Sequence, residues 1–299
     1  MTPRTISRVG LVAKERVEAA ARVLVELAGW LEARGLQPVF ETYAAQLAGI
    51  TSGPEIVSKE ELPSACDLIV LLGGDGTLIG MARRVARAGA DVPIAGVNFG
   101  SLGFLTEITL DDLYPSLEGV LEGTAPIEER MMLHAKVLRG SRCFTDELVL
   151  NDVVITKAGP SRIIELEVSV EGAFVSSFRA DGIIVSSPTG STAYNLAAGG
   201  PILSPTLPAI VVTPICPHML SHRPLVVPDE ARIELRLRAA RDVEVYVALD
   251  GQETFPFSDD DHVTVTGSPR RLKLVKAPGR DYYEVLRTKL KWGEVGTRR

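Results

Sequence analysis

Cys66-Asp67-Leu68-Ile69-Val70-Leu71-Leu72 runs without a break into Gly73-Gly74-Asp75-Gly76-Thr77. Five apolar residues in a row suit a strand buried on both faces, the kind found in parallel sheets. The glycines end the strand, and a helix from about 77 to 88 follows. Open α/β sheets place their ligands at such strand ends. The pattern repeats on both sides. Upstream, 9–13 reads as a buried strand. Val17, Ala20, Ala21, Leu24, Leu27, Ala28 and Leu31 then recur at helical spacing, with Gly35 as the stop and a second strand at 36–40. Downstream come a strand at 92–97, a loop at 98–105, and a helix from about 109 to 123 with Asp111 and Asp112 in its first turn. Strands alternating with helices predict a parallel sheet with helices on both faces.

The texture changes after Pro126. Residues 130–138, 148–156, 163–170 and 173–178 read as strands joined by short turns, and 232–237 and 243–249 follow later. Ile233, Leu235 and Leu237 alternate with Arg232, Glu234, Arg236 and Arg238, so one face is buried and the other wet. Helical spacing returns over 281–292. The expectation is an α/β domain with a parallel sheet at 1–125, a β-rich domain at 126–275, and a helical tail at 276–299 packing back on the first domain.

Bulk composition excludes several classes. A formal net charge of −6 gives no support to a nucleic-acid reader, which carries a basic face. Cys66, Cys143 and Cys216 are far apart and form neither a disulfide framework nor a zinc knuckle. The four histidines lack metal-ligand spacing, so no resident metal is expected. With no signal-like start and no apolar run long enough to span a bilayer, a cytoplasmic protein without a membrane partner is expected.

Three segments carry chemistry. In residues 73–77 the glycines let a backbone approach phosphate, and a helix start offers N–H donors. Neither Walker A nor G-x-G-x-x-G is matched. Asp75 is the odd element, because it repels phosphate unless a metal ion or a hydroxyl proton gives it a role. A turn in which Asp75 merely caps the helix accounts for the same residues. The second segment runs from Asp181-Gly182 through Ser186-Ser187-Pro188-Thr189-Gly190-Ser191-Thr192-Ala193-Tyr194-Asn195 to Gly199-Gly200-Pro201. Its hydroxyls suit phosphate or ribose, and Tyr194 can pack on a flat base. An N-capped hairpin turn explains it too. The third, Asn151-Asp152 ahead of Val153-Val154-Ile155, offers an amide and a carboxylate to a base edge or to ribose hydroxyls. Asp250-Gly251-Gln252 reads equally as a hairpin turn.

Taken in order, these segments resemble the NAD kinase family. The resemblance includes Asn98-Phe99-Gly100-Ser101-Leu102-Gly103-Phe104-Leu105, Thr213 to His218, Arg223-Pro224-Leu225 and Glu284-Val285-Leu286-Arg287-Thr288-Lys289. It covers about residues 8 to 294. The first turn alone is shared with phosphofructokinases and lipid kinases, and the later segments narrow the match. The resemblance implies the two-domain fold above, with NAD held at the domain junction, often in homodimers or homotetramers. It implies transfer of the terminal phosphoryl group of ATP, another nucleoside triphosphate or polyphosphate to the adenosine 2′-hydroxyl of NAD, giving NADP. Asp75 then looks like the acceptor of the hydroxyl proton. Gly73, Gly74, Gly76 and Thr77 look like the turn for the donor phosphates, with Mg²⁺ arriving on the nucleotide. Asp75, Gly76, Asn151, Asp152, Arg162, Arg179, Asp181, Thr192, Ala193, Tyr194, Asn195, Leu196, Ala197 and Gln252 look like dinucleotide contacts. Ala197 stands where many relatives have serine. Gly80 stands where some have a long basic residue, which leans toward ATP over polyphosphate.

Overall fold

The computed structural model of the chain describes residues 6–15, 17–100, 102–159, 162–239 and 243–292. Ser101 of the loop quoted above lies outside them. The chain forms two compact units, Met1–Glu129 with Leu272–Arg299, and Arg130–Arg271. Sequence texture divides it at 126 and 276; contacts divide it after 129 and before 272.

In the first unit the elements are β1 (Arg8–Ala13), α1 (Ala19–Glu32), β2 (Gln37–Glu41), α2 (Thr42–Leu47), β3 (Glu55–Val57), α3 (Leu62–Ala65), β4 (Leu68–Leu72), α4 (Asp75–Arg87), β5 (Ile94–Val97) and α5 (Leu113–Leu121). The strands lie parallel in the order β3-β2-β1-β4-β5. The chain winds outward from β1 to β3, then returns to lay β4 on the other side of β1. That reversal is the topological switch point, where the loops leaving β1 and β4 diverge and leave a crevice. The residue 73–77 turn stands there, with Lys14 N–H bonded to Leu72 O at 2.8 Å. All five residues of β4 are buried, as their unbroken apolar run requires. On α1, Ala20, Leu24, Leu27, Ala28 and Leu31 form the buried stripe, and Gly35 follows the helix in a left-handed conformation.

Two helix starts differ from expectation. Helix α4 begins at Asp75 rather than near 77, with Gly74 as its N-cap and no side-chain cap bond. Helix α5 begins at Leu113 rather than near 109. Thr109 Oγ1 bonds Asp112 Oδ2 at 2.7 Å and folds the preceding residues into a turn.

The second unit is a sandwich of two sheets. Its elements, with two strands shared at the unit boundary, are β6 (Ile127–Arg139), β7 (Arg142–Val149), β8 (Asp152–Lys157), β9 (Ile164–Val170), β10 (Ala173–Ala180), β11 (Gly182–Ser186), a 3-10 turn (Gly190–Thr192), α6 (Tyr194–Ala197), β12 (Ala209–Ile215), β13 (Leu225–Pro228), β14 (Ile233–Ala239), β15 (Val245–Leu249), β16 (Glu253–Phe257) and β17 (Asp261–Val275). One sheet runs β13-β12-β11-β8-β15-β16, and β10-β9-β14-β17 lies in the other. Val153, Ile155, Ile183 and Val247 of the first meet Leu166, Val168, Leu235 and Val263 of the second in one core. Ile233, Leu235 and Leu237 are buried, as their alternation requires.

The stretch 148–156 is two strands rather than one. It breaks at Leu150 and Asn151 and passes from the β6–β7 hairpin into the β8–β11 ladder. Strand β17 has no counterpart in the sequence reading. Its last residues belong to the first unit, where Leu274 pairs with Ile94. Helix α7 (Tyr282–Leu290) follows, capped by Asp281, whose carboxylate accepts from Glu284 N–H. Among the described residues no helix is long and apolar enough to cross a membrane.

Candidate active site

The first unit holds an open pocket of about 430 Å³ at its switch point. Gly73 and Gly74 of the turn, Asp75, Asn98, Lys14 and Lys289 line it. A methyl group on Gly73 would press at 3.1 Å on Lys14 Cβ and Thr77 Oγ1, so packing accounts for that glycine. Gly74 and Gly76 have nothing within 4 Å, and neither has a positive φ. The fold does not demand glycine at either place. A bare backbone at Gly74 leaves the pocket wall open for close approach. Gly76 and Thr77 stand in the first turn of α4 and are not on that wall.

Asp75 does not cap its own helix. Its carboxylate reaches across to the loop before residue 107. Oδ2 accepts from Phe104 N–H at 2.8 Å. Oδ1 accepts from Leu105 N–H at 3.1 Å, Thr106 N–H at 3.0 Å and Thr106 Oγ1 at 2.9 Å. Asn98 Nδ2 in turn donates to Thr106 Oγ1 at 3.1 Å. A carboxylate offers about four acceptor positions, two per oxygen. Among the described residues Oδ1 is saturated, while Oδ2 takes one bond and keeps a lone pair for another donor. Gly103 makes this clamp sterically feasible, because a Cβ there would lie 2.1 Å from Asp75 Oδ1. Lys289 Nζ lies 5.7 Å from the centre of the Phe104 ring, within cation–π range. Sequence reading missed Lys14 and Lys289 as site residues, and Gly103 and Thr106 as the clamp. The signal for Lys14 was its place directly after a central strand.

In the second unit the polar residues gather around the start of β8. Asp250, 8% exposed, accepts Leu150 N–H at 2.8 Å, Asn151 N–H at 2.7 Å and Asp152 N–H at 3.1 Å. That clamp bends the chain between β7 and β8. Ser187 Oγ donates to Leu150 O, and a Cβ on Gly190 would lie 2.2 Å from Asn151 O. The hydroxyl-rich turn is thus seated directly on Asn151. Among the described residues, two buried oxygens in this cluster, Asn151 Oδ1 and Thr189 Oγ1, have no hydrogen-bond partner, so they stand as acceptor and donor sites for a ligand. Asp152 is 5% exposed. Burial first, and then the Asp250 charge beside it, push its carboxyl up to about 7.

The residues of this turn differ in what they have left to offer a ligand. Asn195 is fully buried; its Nδ2 donates to Ser191 O and Pro201 O at 3.0 Å each, and its Oδ1 accepts from Thr213 Oγ1 at 2.6 Å. It braces the turn, and both its amide hydrogens are spent inside the unit. Ser187 and Ser191 are likewise spent on Leu150, Pro188 and Leu203. Thr192 and Leu196 are half-buried, and Ala193, Tyr194 and Ala197 are exposed on the same turn.

Asp181 stands apart from that cluster. Register pairs Gly182 with Thr156 and Ser186 with Asp152, so Asp181 and Asp152 lie at opposite ends of the β8–β11 pair. At about 3.3 Å per residue the ends are roughly 13–16 Å apart. Lys157, largely buried, pairs with Asp181 Oδ1 at 2.9 Å. Sequence reading missed that lysine because its partner Asp181 is 24 residues away in the chain. Arg162, Arg179 and Gln252 are exposed, and Gln252 follows the left-handed Asp250-Gly251 turn. Among the described residues no group of three or more His, Cys, Asp or Glu could hold a metal ion.

A glycine-rich turn at a switch point, two lysines on the pocket wall and an anchored carboxylate with one lone pair to spare are the equipment of a phosphotransferase acting on a hydroxyl. Residues 9–125 match the ATP-NAD kinase N-terminal domain, and residues 150–277 match the ATP-NAD kinase C-terminal domain. The NAD kinase of Syntrophotalea carbinolica is 50% identical over 97% of this chain and 100% of its own length. That of Geotalea daltonii is 46% identical over the same shares. Among solved structures, a yeast NADH kinase complexed with NADH shares the fold at a TM-score of 0.84 and 23% identity, over 99% of this chain and 90% of its own. An NAD kinase from Archaeoglobus fulgidus in complex with ATP gives a TM-score of 0.74 and 25% identity, over 94% and 98%. The chain belongs to the NAD kinase family, enzymes that phosphorylate NAD to NADP.

Proposed function

We propose that the chain transfers the terminal phosphoryl group of ATP to the adenosine 2′-hydroxyl of NAD, with Asp75 orienting that hydroxyl and taking its proton. The observation carrying this reading is the Asp75 clamp. Four bonds fix the carboxylate, yet Oδ2 retains an acceptor position. A ribose hydroxyl is a weak nucleophile, and a held carboxylate helps it without itself being displaced. The donor phosphates lie along Gly73 and Gly74, where Lys14 and Lys289 offset their charge. Another nucleoside triphosphate or polyphosphate would be held by the same contacts.

Asn151, Asp152, Thr192, Ala193, Tyr194 and Ala197 serve one end of the dinucleotide, with Asp181 and Arg179 for the other. Separation along the β8–β11 pair suits a ligand that is itself extended. Mg²⁺ fits as a passenger on the donor. Among the described residues the pocket's one carboxylate already accepts four bonds, so phosphate oxygens and water would hold most of the ion, which neutralises charge in transfer. Homodimer or homotetramer assembly belongs to the same reading, since Phe174 and Leu220, 64% and 85% exposed, leave apolar surface for a second copy. Exposed free Cys143 and Cys216 suit the reducing cytoplasm.

The test is Asp75→Asn. Turnover falls roughly 10²–10⁴-fold while NAD still binds, the usual size of a general-base effect. Turnover at the wild-type rate would refute the assignment.

A further inference from the structure

Asp250 does more than the turn it occupies requires. It sits at φ 54 with Gly251 at φ 61, at the centre of a β-turn closed by Gln252 N–H to Leu249 O at 2.9 Å, within the three-residue loop between β15 and β16. Asparagine or glycine satisfies such a turn equally well. What they lack is a carboxylate, and here both carboxylate oxygens are used. They receive three consecutive backbone N–H groups, those of Leu150, Asn151 and Asp152. The return bond, Asp250 N–H to Asp152 O at 2.9 Å, completes the lock.

The lock places a second carboxylate beside the first. Asp152 is even more buried than Asp250, and like charges facing each other across paired strands repel. The surroundings offer little to offset this. Across the ladder stands neutral Ser186. On the adjoining turn Thr189 and Ser191 are neutral. The nearest cation on β8 is Lys157, at the far end of the strand and tied to Asp181. Among the described residues Asp250 is the one charge acting on Asp152.

We propose that Asp250 is the positioning residue for the Asn151–Asp152 pair and makes the grip of Asp152 on the dinucleotide depend on protons, so that binding NAD expels one. This rests on the reading that Asn151 and Asp152 contact the dinucleotide. Ribose hydroxyls donate, and the ionised carboxylate is the better acceptor. The protonated form dominates below about pH 7, because burial and Asp250 push the carboxyl up to there. On binding, the carboxyl O–H bond breaks, its proton leaves to solvent, and the freed oxygens accept from the ligand hydroxyls. Affinity is therefore full above that pH and declines as pH falls through it.

The test is NAD binding by calorimetry from about pH 5 to about pH 9, in buffers of differing ionisation heat, for wild type, Asp250→Asn and Asp152→Asn. In wild type the dissociation constant rises up to about tenfold per pH unit below the inflection, and binding just below it releases a proton. In Asp250→Asn the inflection moves down toward the ordinary carboxylate range. In Asp152→Asn the inflection and the proton release disappear. An Asp250→Asn variant that binds more weakly at every pH with its inflection unmoved would leave only a bracing role and overturn the linkage. Wild type releasing no proton would overturn it even if the variants failed to fold. A wild type that binds no NAD at any pH would instead defeat the dinucleotide reading on which the linkage stands.

Discussion

Asp75 was legible in the sequence as an acid out of place beside a phosphate cradle, but what holds it was not. Three of its four bonds come from backbone N–H groups of residues 104–106, the fourth from the Thr106 hydroxyl, and a backbone donor has no letter in a sequence. Gly103 is the one residue that hints at them, and it can be tested against Gly74. Gly103→Ala drives a methyl into the Asp75 carboxylate, so we expect turnover to fall at least about tenfold and stability by about 1–3 kcal/mol, read from kcat and the urea midpoint. Gly74→Ala meets nothing within 4 Å and leaves the urea midpoint in place, yet it narrows the pocket wall and raises KM for ATP. Equal stability losses in the two variants would contradict this division. Asn195 teaches the opposite lesson. Its neighbours in sequence face outward, but a helical turn rotates every residue to a different side, and Asn195 points into the unit.

At the scale of elements, continuous apolar runs made β1, β4 and β5 readable, because strands buried on both faces leave no room for polar letters. Strand β17 defied the same method. Its Gly267-Ser268-Pro269-Arg270-Arg271 interrupts the apolar alternation, and Gly267 is there because Asp229 O lies 2.5 Å from where its Cβ would be. The split between β7 and β8 was hidden for a related reason, since Asp250, a hundred residues away in the chain, causes the bend. Helix α7 brings Lys289 to the pocket from the far end of the sequence. Lys289→Gln should raise KM for ATP about tenfold and leave KM for NAD unchanged, the mark of a lost donor contact. Equal changes in both constants would remove Lys289 from the donor pocket.

For the whole molecule, the first unit is built from two distant pieces of chain. Leu272, Leu274, Val275, Ala277, Val285 and Leu286 are all buried, and Val275 and Ala277 pack in the same core as Val9, Leu24 and Val70. A chain ending at 271 would therefore lose hydrogen-exchange protection in β1, β4 and α1 while β8, β11 and β15 kept theirs. Equal protection with and without the last segment would show the first unit to be self-sufficient. During synthesis the same discontinuity imposes a delay. The residues that open the chain emerge first, yet they cannot close their core until residues 130–271 have been translated, on the order of ten seconds at about 5–20 residues per second. Through that interval the nascent chain displays an unfinished parallel sheet, which makes the ribosome-bound stage the point at which chaperones have most to shield.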